Sequence, residues 1–193
     1  TGCGFFGSRT ESEATPEAET EAPALEPASI RPPTFARFDE RVYVPDRIII
    51  PSIDMDTPVV ELGWSAATDP SGRVFSRWDV AAYAAGWHIN SAELGQSGNV
   101  VMSGHNNILG SVFRELDQLK QGDIATVWSG NTRYDYQIDK VVIVPDKHAT
   151  LEQRRANAEW IHQFDDDRLT LVSCWPRDDN SHRIIAVAHL VDE

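Results

Sequence analysis

The sequence predicts an all-β fold, a barrel or a sandwich, for the part of the chain that begins near Asp39. From that point the chain consists of short apolar runs rich in β-branched residues, separated by Pro, Gly, Asn and Asp. Helical periodicity is confined to two short stretches, Ser111–Leu116 and Leu151–Ala158. Seven or more strands with so little helix favour a barrel or a sandwich.

The candidate strands follow one another through the whole domain, and each is bounded by turn residues. Two halves of the longest candidate differ: Thr132–Ile138 alternates, with Tyr134, Tyr136 and Ile138 on one face, whereas Val141–Val144 is continuously apolar. We therefore expect the second half to be buried on both sides. The candidates are Arg47–Ile53, Thr57–Glu61, Asn99–Gly104, Ile124–Trp128, Thr132–Val144, Leu169–Cys174 and Arg183–Leu190.

Residues 1–38 are predicted to form a disordered tether, and residues 39–193 the folded domain. Most of the tether is Glu, Ala, Pro, Ser and Thr, which cannot bury enough apolar surface to offset the entropy of ordering. Its start, Thr1-Gly2-Cys3-Gly4, resembles the junction of a bacterial lipoprotein precursor, where the cysteine is lipidated. The alternatives are a truncated signal anchor or a Cys3 with no role. Either membrane interpretation places the domain on the extracellular face of a bacterial membrane, anchored through its N-terminus.

Composition excludes several classes of function. A net charge of -13 argues against a nucleic-acid partner, because phosphate contacts need clustered Lys and Arg. With two cysteines in regions of very different composition, a structural disulfide is not expected. The acidic runs at 165–167 and 178–180 lack the alternating spacing of a calcium loop. We expect no metal and no cofactor.

Three residue types that can perform acyl transfer stand at strand ends. Cys174 closes an apolar strand, and His105 follows another. Arg183 opens the last strand, where a polar loop could return it to the thiol and let it stabilise an oxyanion. Each has a structural alternative: a buried cysteine, a hydrogen-bonded surface histidine, and an ion pair of the arginine with Asp178 or Asp179.

The ordered set of motifs resembles the sortase family over roughly residues 45–191. The matching segments are Arg47–Ile53, Gly95–His105, Gly122–Asp123 and Leu169–Cys174, followed by Arg183. The resemblance implies a closed eight-stranded β-barrel and a cysteine transpeptidase, closest to the housekeeping-like class D or E. Its partners would be secreted proteins with a Leu-Pro-x-Thr-Gly-like sorting motif and an amine acceptor on the cell wall or a pilin.

The resemblance also assigns roles to residues. Cys174 would attack the scissile carbonyl and form a thioacyl enzyme, His105 would exchange protons with the leaving and incoming amines, and Arg183 would stabilise the oxyanion. His182 is the rival base. Candidate substrate contacts are His88, Ser173 and Trp175. The alternatives are a structural role for His88 and barrel packing for Trp175.

Other functions stay open at this stage. One is a hydrolytic cysteine enzyme on the same fold. A cell-wall L,D-transpeptidase is disfavoured, because its signature places histidine and cysteine close together whereas here 69 positions (174 minus 105) separate them. A surface-tethered binding module without catalysis is the remaining alternative.

Overall fold

The computed structural model describes residues 43–68, 72 and 74–191, without the side chains of 64–67 and 74–78. The predicted tether and Cys3 lie outside the described residues. Within the described part, the strands are β1 Arg47–Ile50, β2 Met55–Leu62, β3 Trp64–Thr68, β4 Val74–Trp78, β5 Ala85–His88, β6 Gly98–Ser103, β7 Ile124–Ser129, β8 Thr132–Pro145, β9 Asp167–Trp175 and β10 His182–Leu190. Helix α1 spans Leu151–Ala158, and 3-10 turns lie at Pro51–Ile53, Leu116–Gln118 and Glu159–Ile161.

Eight of these strands close into a barrel in the order β1-β2-β5-β6-β9-β10-β8-β7, while β3 and β4 form a separate two-stranded antiparallel pair. Within the barrel, β2 pairs with β5 and β6 pairs with β9 in parallel, and the other neighbours are antiparallel. The predicted all-β class and the eight-stranded barrel are confirmed. This order places β9, which carries Cys174, between β6, which His105 follows, and β10, which carries Arg183.

The barrel interior is filled by alternate residues of the strands. On β9 and β10 these are Leu169, Leu171, Ile184, Ala186 and Ala188, each at most 2% exposed. Successive side chains of a strand point to opposite faces. Ile185 and Val187, on the other face of β10, are also buried, at 3% and 1% exposure, so the middle of this strand is covered on both faces. Full burial of each leucine or isoleucine stabilises the fold by about 1.5–3 kcal/mol.

The long strand β8 corrects one expectation and confirms another. Tyr136 and Ile138 lie in the core with 1% exposure each, as the alternation predicts. The prediction that residues 141–144 are continuously buried is wrong, because Ile143 is 44% exposed. The reason is topological: β7 pairs only with residues 132–137, so the rest of β8 pairs with β10 alone.

Of the two predicted helical stretches, one is confirmed and the other is wrong. Leu151–Ala158 is a helix, begun by a capping box in which Thr150 and Gln153 satisfy each other's backbone N–H groups. Residues 111–116 form turns rather than a helix, and the 3-10 turn begins only at their last residue. Strands β3, β4 and β5 were not predicted. Between residues 43 and 191, no described helix is long and apolar enough to cross a membrane.

Candidate active site

Three residues form a row at the ends of neighbouring strands: Cys174 on β9, Arg183 on β10, and His105 two residues after the end of β6. Arg183 is directly opposite Cys174 in the antiparallel β9–β10 register. The parallel β6–β9 pairing ends with Ser103 opposite Val172. His105 follows between Gly104 and Asn106, and both of these residues bond to β9, so His105 lies beside the end of that strand.

The side chains of Cys174 and Arg183 belong to the outer face of the barrel by the alternation of their strands. Leu171 and Ile184 point into the core, and Cys174 and Arg183 are an odd number of positions away from them. Because neighbouring strands are about 5 Å apart, the thiol and the guanidinium share one surface, and His105 follows the strand next to Cys174.

Arg183 contacts the thiol directly. Its Nη1 donates a hydrogen bond to Sγ of Cys174, which is a free and partly buried cysteine. On the other side of the guanidinium, Nη2 lies 2.8 Å from Oδ2 of Asp146. Arg183 therefore forms an ion pair with Asp146, and Asp179, one of the partners considered from the sequence, accepts a hydrogen bond from the Ser181 N–H instead.

The segment that carries His105 is tied to β9 by backbone and side-chain bonds. The Gly104 N–H donates to the carbonyl of Val172 at 3.3 Å, and the Ser173 hydroxyl donates to the Gly104 carbonyl at 2.7 Å. The carbonyl of His105 accepts from the N–H of Phe113 at 3.0 Å. Gly104 also fits closely, because a Cβ there would lie 2.8 Å from the Phe113 ring.

Asn106 completes this attachment, and the sequence analysis did not identify it. In a continued parallel ladder the carbonyl of Cys174 would accept from the backbone N–H of Asn106. The side chain takes that role, because Nδ2 of Asn106 donates to the Cys174 carbonyl at 2.8 Å. Asn106 is 3% exposed, so its amide is held. Its place immediately after His105 was the available signal.

The loop after His105 is also bound to the loop after Cys174. Asn106 donates to Oδ1 of Asn180 at 3.2 Å, and Asn107 donates to the carbonyl of Arg177. The guanidinium of Arg177 in turn donates to the carbonyl of Arg114 at 2.8 Å and to the Glu115 carboxylate at 2.7 Å. These contacts fix the two loops that flank the row.

The candidate substrate contact His88 lies beside the row but is covered. It is 2% exposed, and its Nε2 is 2.8 Å from the hydroxyl of Ser103, two residues before His105. Burial lowers the pKa of His88 to about 4, an effect that the nearby Asp79 carboxylate partly opposes. This environment favours the structural role over a contact with substrate.

Ser173 and Trp175 lie on the inward side of β9, one residue away from Cys174 in each direction. Ser173 is 3% exposed and uses its hydroxyl within the protein. Trp175 packs against the core and meets the ring of His182 edge to face, with centroids 5.9 Å apart. His182 therefore shares the face of Trp175, opposite to that of Cys174, which disfavours His182 as the base and leaves His105 as the candidate.

Two further features bear on ligands. A cavity of 450 Å³ lies between the turn before β2 and residues 110–115, and none of the three row residues lines it. Among residues 43–68, 72 and 74–191, no three His, Cys, Asp or Glu side chains converge as ligands of a metal would. The expectation of no metal stays a prediction.

Comparison with known proteins places this site in a family. A family model described as the sortase domain matches residues 48–191. The chain is 26% identical over 164 residues to Sortase A of Bacillus anthracis, an alignment that covers 81% of this chain and 63% of that relative. The chain thus spans less than two thirds of that relative's length.

Solved structures agree on the fold. Sortase C-1 of Actinomyces oris superposes with a TM-score of 0.58 and 24% identity, over 76% of this chain and 73% of that one. A Sortase D5 transpeptidase of Clostridium perfringens gives 0.55 and 23%, over 76% and 78%. Since the family model matches well over half of the residues, the chain belongs to the sortase family.

Proposed function

We propose that this protein is a cysteine transpeptidase that cleaves a C-terminal sorting motif of the Leu-Pro-x-Thr-Gly kind and joins the new carboxyl end to an amine. The observation that carries the proposal is the contact of Arg183 with the thiol of Cys174 on the outer face of the barrel, beside the segment that carries His105. The proposal extends to the secreted substrate, to an acceptor on the cell wall or a pilin, and to attachment of the enzyme outside the cytoplasm through its N-terminus.

In the first half of the reaction, Sγ of Cys174 attacks the scissile carbonyl carbon, and the carbonyl electrons move onto oxygen. The positive charge of Arg183 favours the thiolate, which is the nucleophile, and its N–H groups can donate to the oxyanion. The C–N bond then breaks, and His105 gives its proton to the departing amine. A thioester between the substrate and Cys174 remains.

In the second half, an incoming primary amine attacks the thioester and loses its proton to His105. The tetrahedral intermediate collapses, the C–S bond breaks, and Cys174 leaves as the thiolate. The product is a new amide, and the enzyme has regained its starting protons. Water in place of the amine would give slow hydrolysis.

Mass spectrometry of the chain incubated with a Leu-Pro-x-Thr-Gly peptide library and triglycine tests this proposal. We expect cleaved and triglycine-joined peptides with the native chain and neither product with Cys174→Ala. Conversion by His105→Ala should fall by at least about 10², the usual contribution of a positioned acid or base. Gln118→Ala, an exposed change between the loops and β7, serves as a matched control and should convert normally.

The opposite result has a definite meaning. If no peptide in the library is cleaved and Cys174 resists alkylation, the thiol is not a nucleophile. The chain would then be better described as a tethered binding module on a sortase barrel.

A further inference from the structure

The guanidinium of Arg183 is held from two sides. One nitrogen, Nη1, donates to Sγ of Cys174, while the other, Nη2, lies 2.8 Å from Oδ2 of Asp146. A guanidinium is planar and presents its donors in a fixed fork. A carboxylate that binds one end of the fork therefore determines where the other end points.

Asp146 is itself anchored to the strand that carries Arg183. It directly follows β8, whose last residue pairs with His182 in register. The backbone N–H groups of Asp146 and Lys147 both donate to the carbonyl of Ser181 at 3.0 Å. The carboxylate is thus attached, through backbone bonds, to the start of β10.

The other charged groups around this corner have different partners. Lys147 donates through Nζ to the carbonyl of Asp179, and the Asp179 carboxylate accepts from Ser181, a bond that lowers the pKa of Asp179. His182 lies on the opposite face of its strand, against Trp175. Among the described residues, Asp146 is the carboxylate that contacts the Arg183 guanidinium.

We propose that Asp146 is a positioning residue that holds the Arg183 guanidinium against Cys174. The inference rests on the proposed function for its catalytic meaning. Loss of the carboxylate frees the guanidinium to move away from the sulfur, where its positive charge favours the thiolate, and from the place where the oxyanion forms.

Asp146→Asn should therefore lower two measured rates. The rate of Cys174 alkylation by iodoacetamide should fall about threefold near pH 6, as expected when a partly screened positive charge moves away from the thiol. The kcat for peptide cleavage should fall about tenfold with KM within about twofold, because the lost interaction acts on the transition state. Asp146→Glu restores the charge and should recover both values in part.

The experiment uses the full chain with Cys3→Ser, so that alkylation reports on Cys174 alone. Asp56→Asn is the matched control, because Arg47 binds Asp56 through two nitrogens on the far-removed β1–β2 pair. It should leave alkylation and cleavage unchanged. Far-UV circular dichroism and the melting temperature of each variant show whether it has folded.

Three outcomes overturn the proposal: alkylation unchanged or faster in Asp146→Asn, both rates falling together with a lower melting temperature, or Asp146→Glu behaving like Asp146→Asn. Failure of the proposed function is distinguishable. In that case the native chain cleaves no peptide, while the alkylation comparison still measures whether Asp146 controls the charge beside Cys174.

Discussion

Replacing His88 with glutamine probes a buried histidine that the structure places beside the row of His105, Cys174 and Arg183. His88 is 2% exposed and its ring bonds to the hydroxyl of Ser103. Burial lowers its pKa from 6.5 to about 4 in the folded protein. In the unfolded chain the imidazole is in water and regains its ordinary pKa.

The difference between the pKa of His88 in the folded protein and in the unfolded chain sets the sign and size of the effect of pH on stability. Between pH 6.5 and about 4 the unfolded chain binds more protons at His88 than the folded protein does, so acidification favours unfolding. The stability that neutral His88 contributes is complete above pH 6.5 and declines as the pH falls through that window. Relative to neutral pH, the loss for this one group is about 2 kcal/mol near pH 5.

Urea denaturation followed by tryptophan fluorescence measures the effect at about pH 7.5, 6 and 5. The free energy of unfolding of the native chain should fall by about 2 kcal/mol more than that of His88→Gln, which is a difference of about 1 M in midpoint. Glutamine can still bond Ser103 but does not titrate. The carboxyls of Asp166 and Asp179, whose pKa values are lowered by hydrogen bonds from Arg168 and Ser181, are common to both proteins and cancel.

His162→Gln is the matched control for this experiment. His162 is an exposed histidine 3.3 Å from the carboxylate of Glu159, so its replacement should leave the acid sensitivity of the native chain intact. If His88→Gln and the native chain lose the same free energy between pH 7.5 and 5, His88 titrates normally in the folded state. The structural role assigned to its burial would then be wrong.

Two further changes test how the segment that carries His105 is held beside Cys174. Asn106→Ala removes the amide that donates to the Cys174 carbonyl, so kcat for peptide cleavage should fall about tenfold at little cost in KM; an unchanged kcat would show that the ladder does not need this bond. Gly104→Ala sets a Cβ 2.8 Å from the Phe113 ring and should destabilise the fold by about 1–3 kcal/mol. In the same thermal melts Gly63→Ala, which meets nothing within 4 Å, should match the native chain, and equal melting of both variants would contradict the clash.

The strands that were predictable from sequence are those with a clear local pattern. Tyr136 and Ile138 alternate along β8 and are buried as expected. Strand β5 was missed because its four residues, all buried, show no alternation. The prediction for Ile143 was wrong because an apolar run does not reveal that β8 extends beyond the residues that pair with β7.

The row residues were identifiable because each stands at a strand end within a recognisable motif. Their contacts were not. The sequence offered Asp178 and Asp179 as partners of Arg183 from proximity in the chain, whereas the structure pairs it with Asp146, 37 positions earlier (183 minus 146). The preference for His105 over His182 as the base likewise depended on the structure, which places His182 on the face of β10 opposite to Cys174.

The sequence by itself determined the all-β class, helix α1, and the three residues that carry the proposed chemistry. It could do so because strand alternation, helical periodicity and motif order are local properties of the chain. Tertiary structure alone decided that β9 lies between β6 and β10, that Asn106 binds Cys174, and that Asp146 holds Arg183. Those facts depend on pairing between segments far apart in sequence, since barrel closure selects one register for each pair of strands.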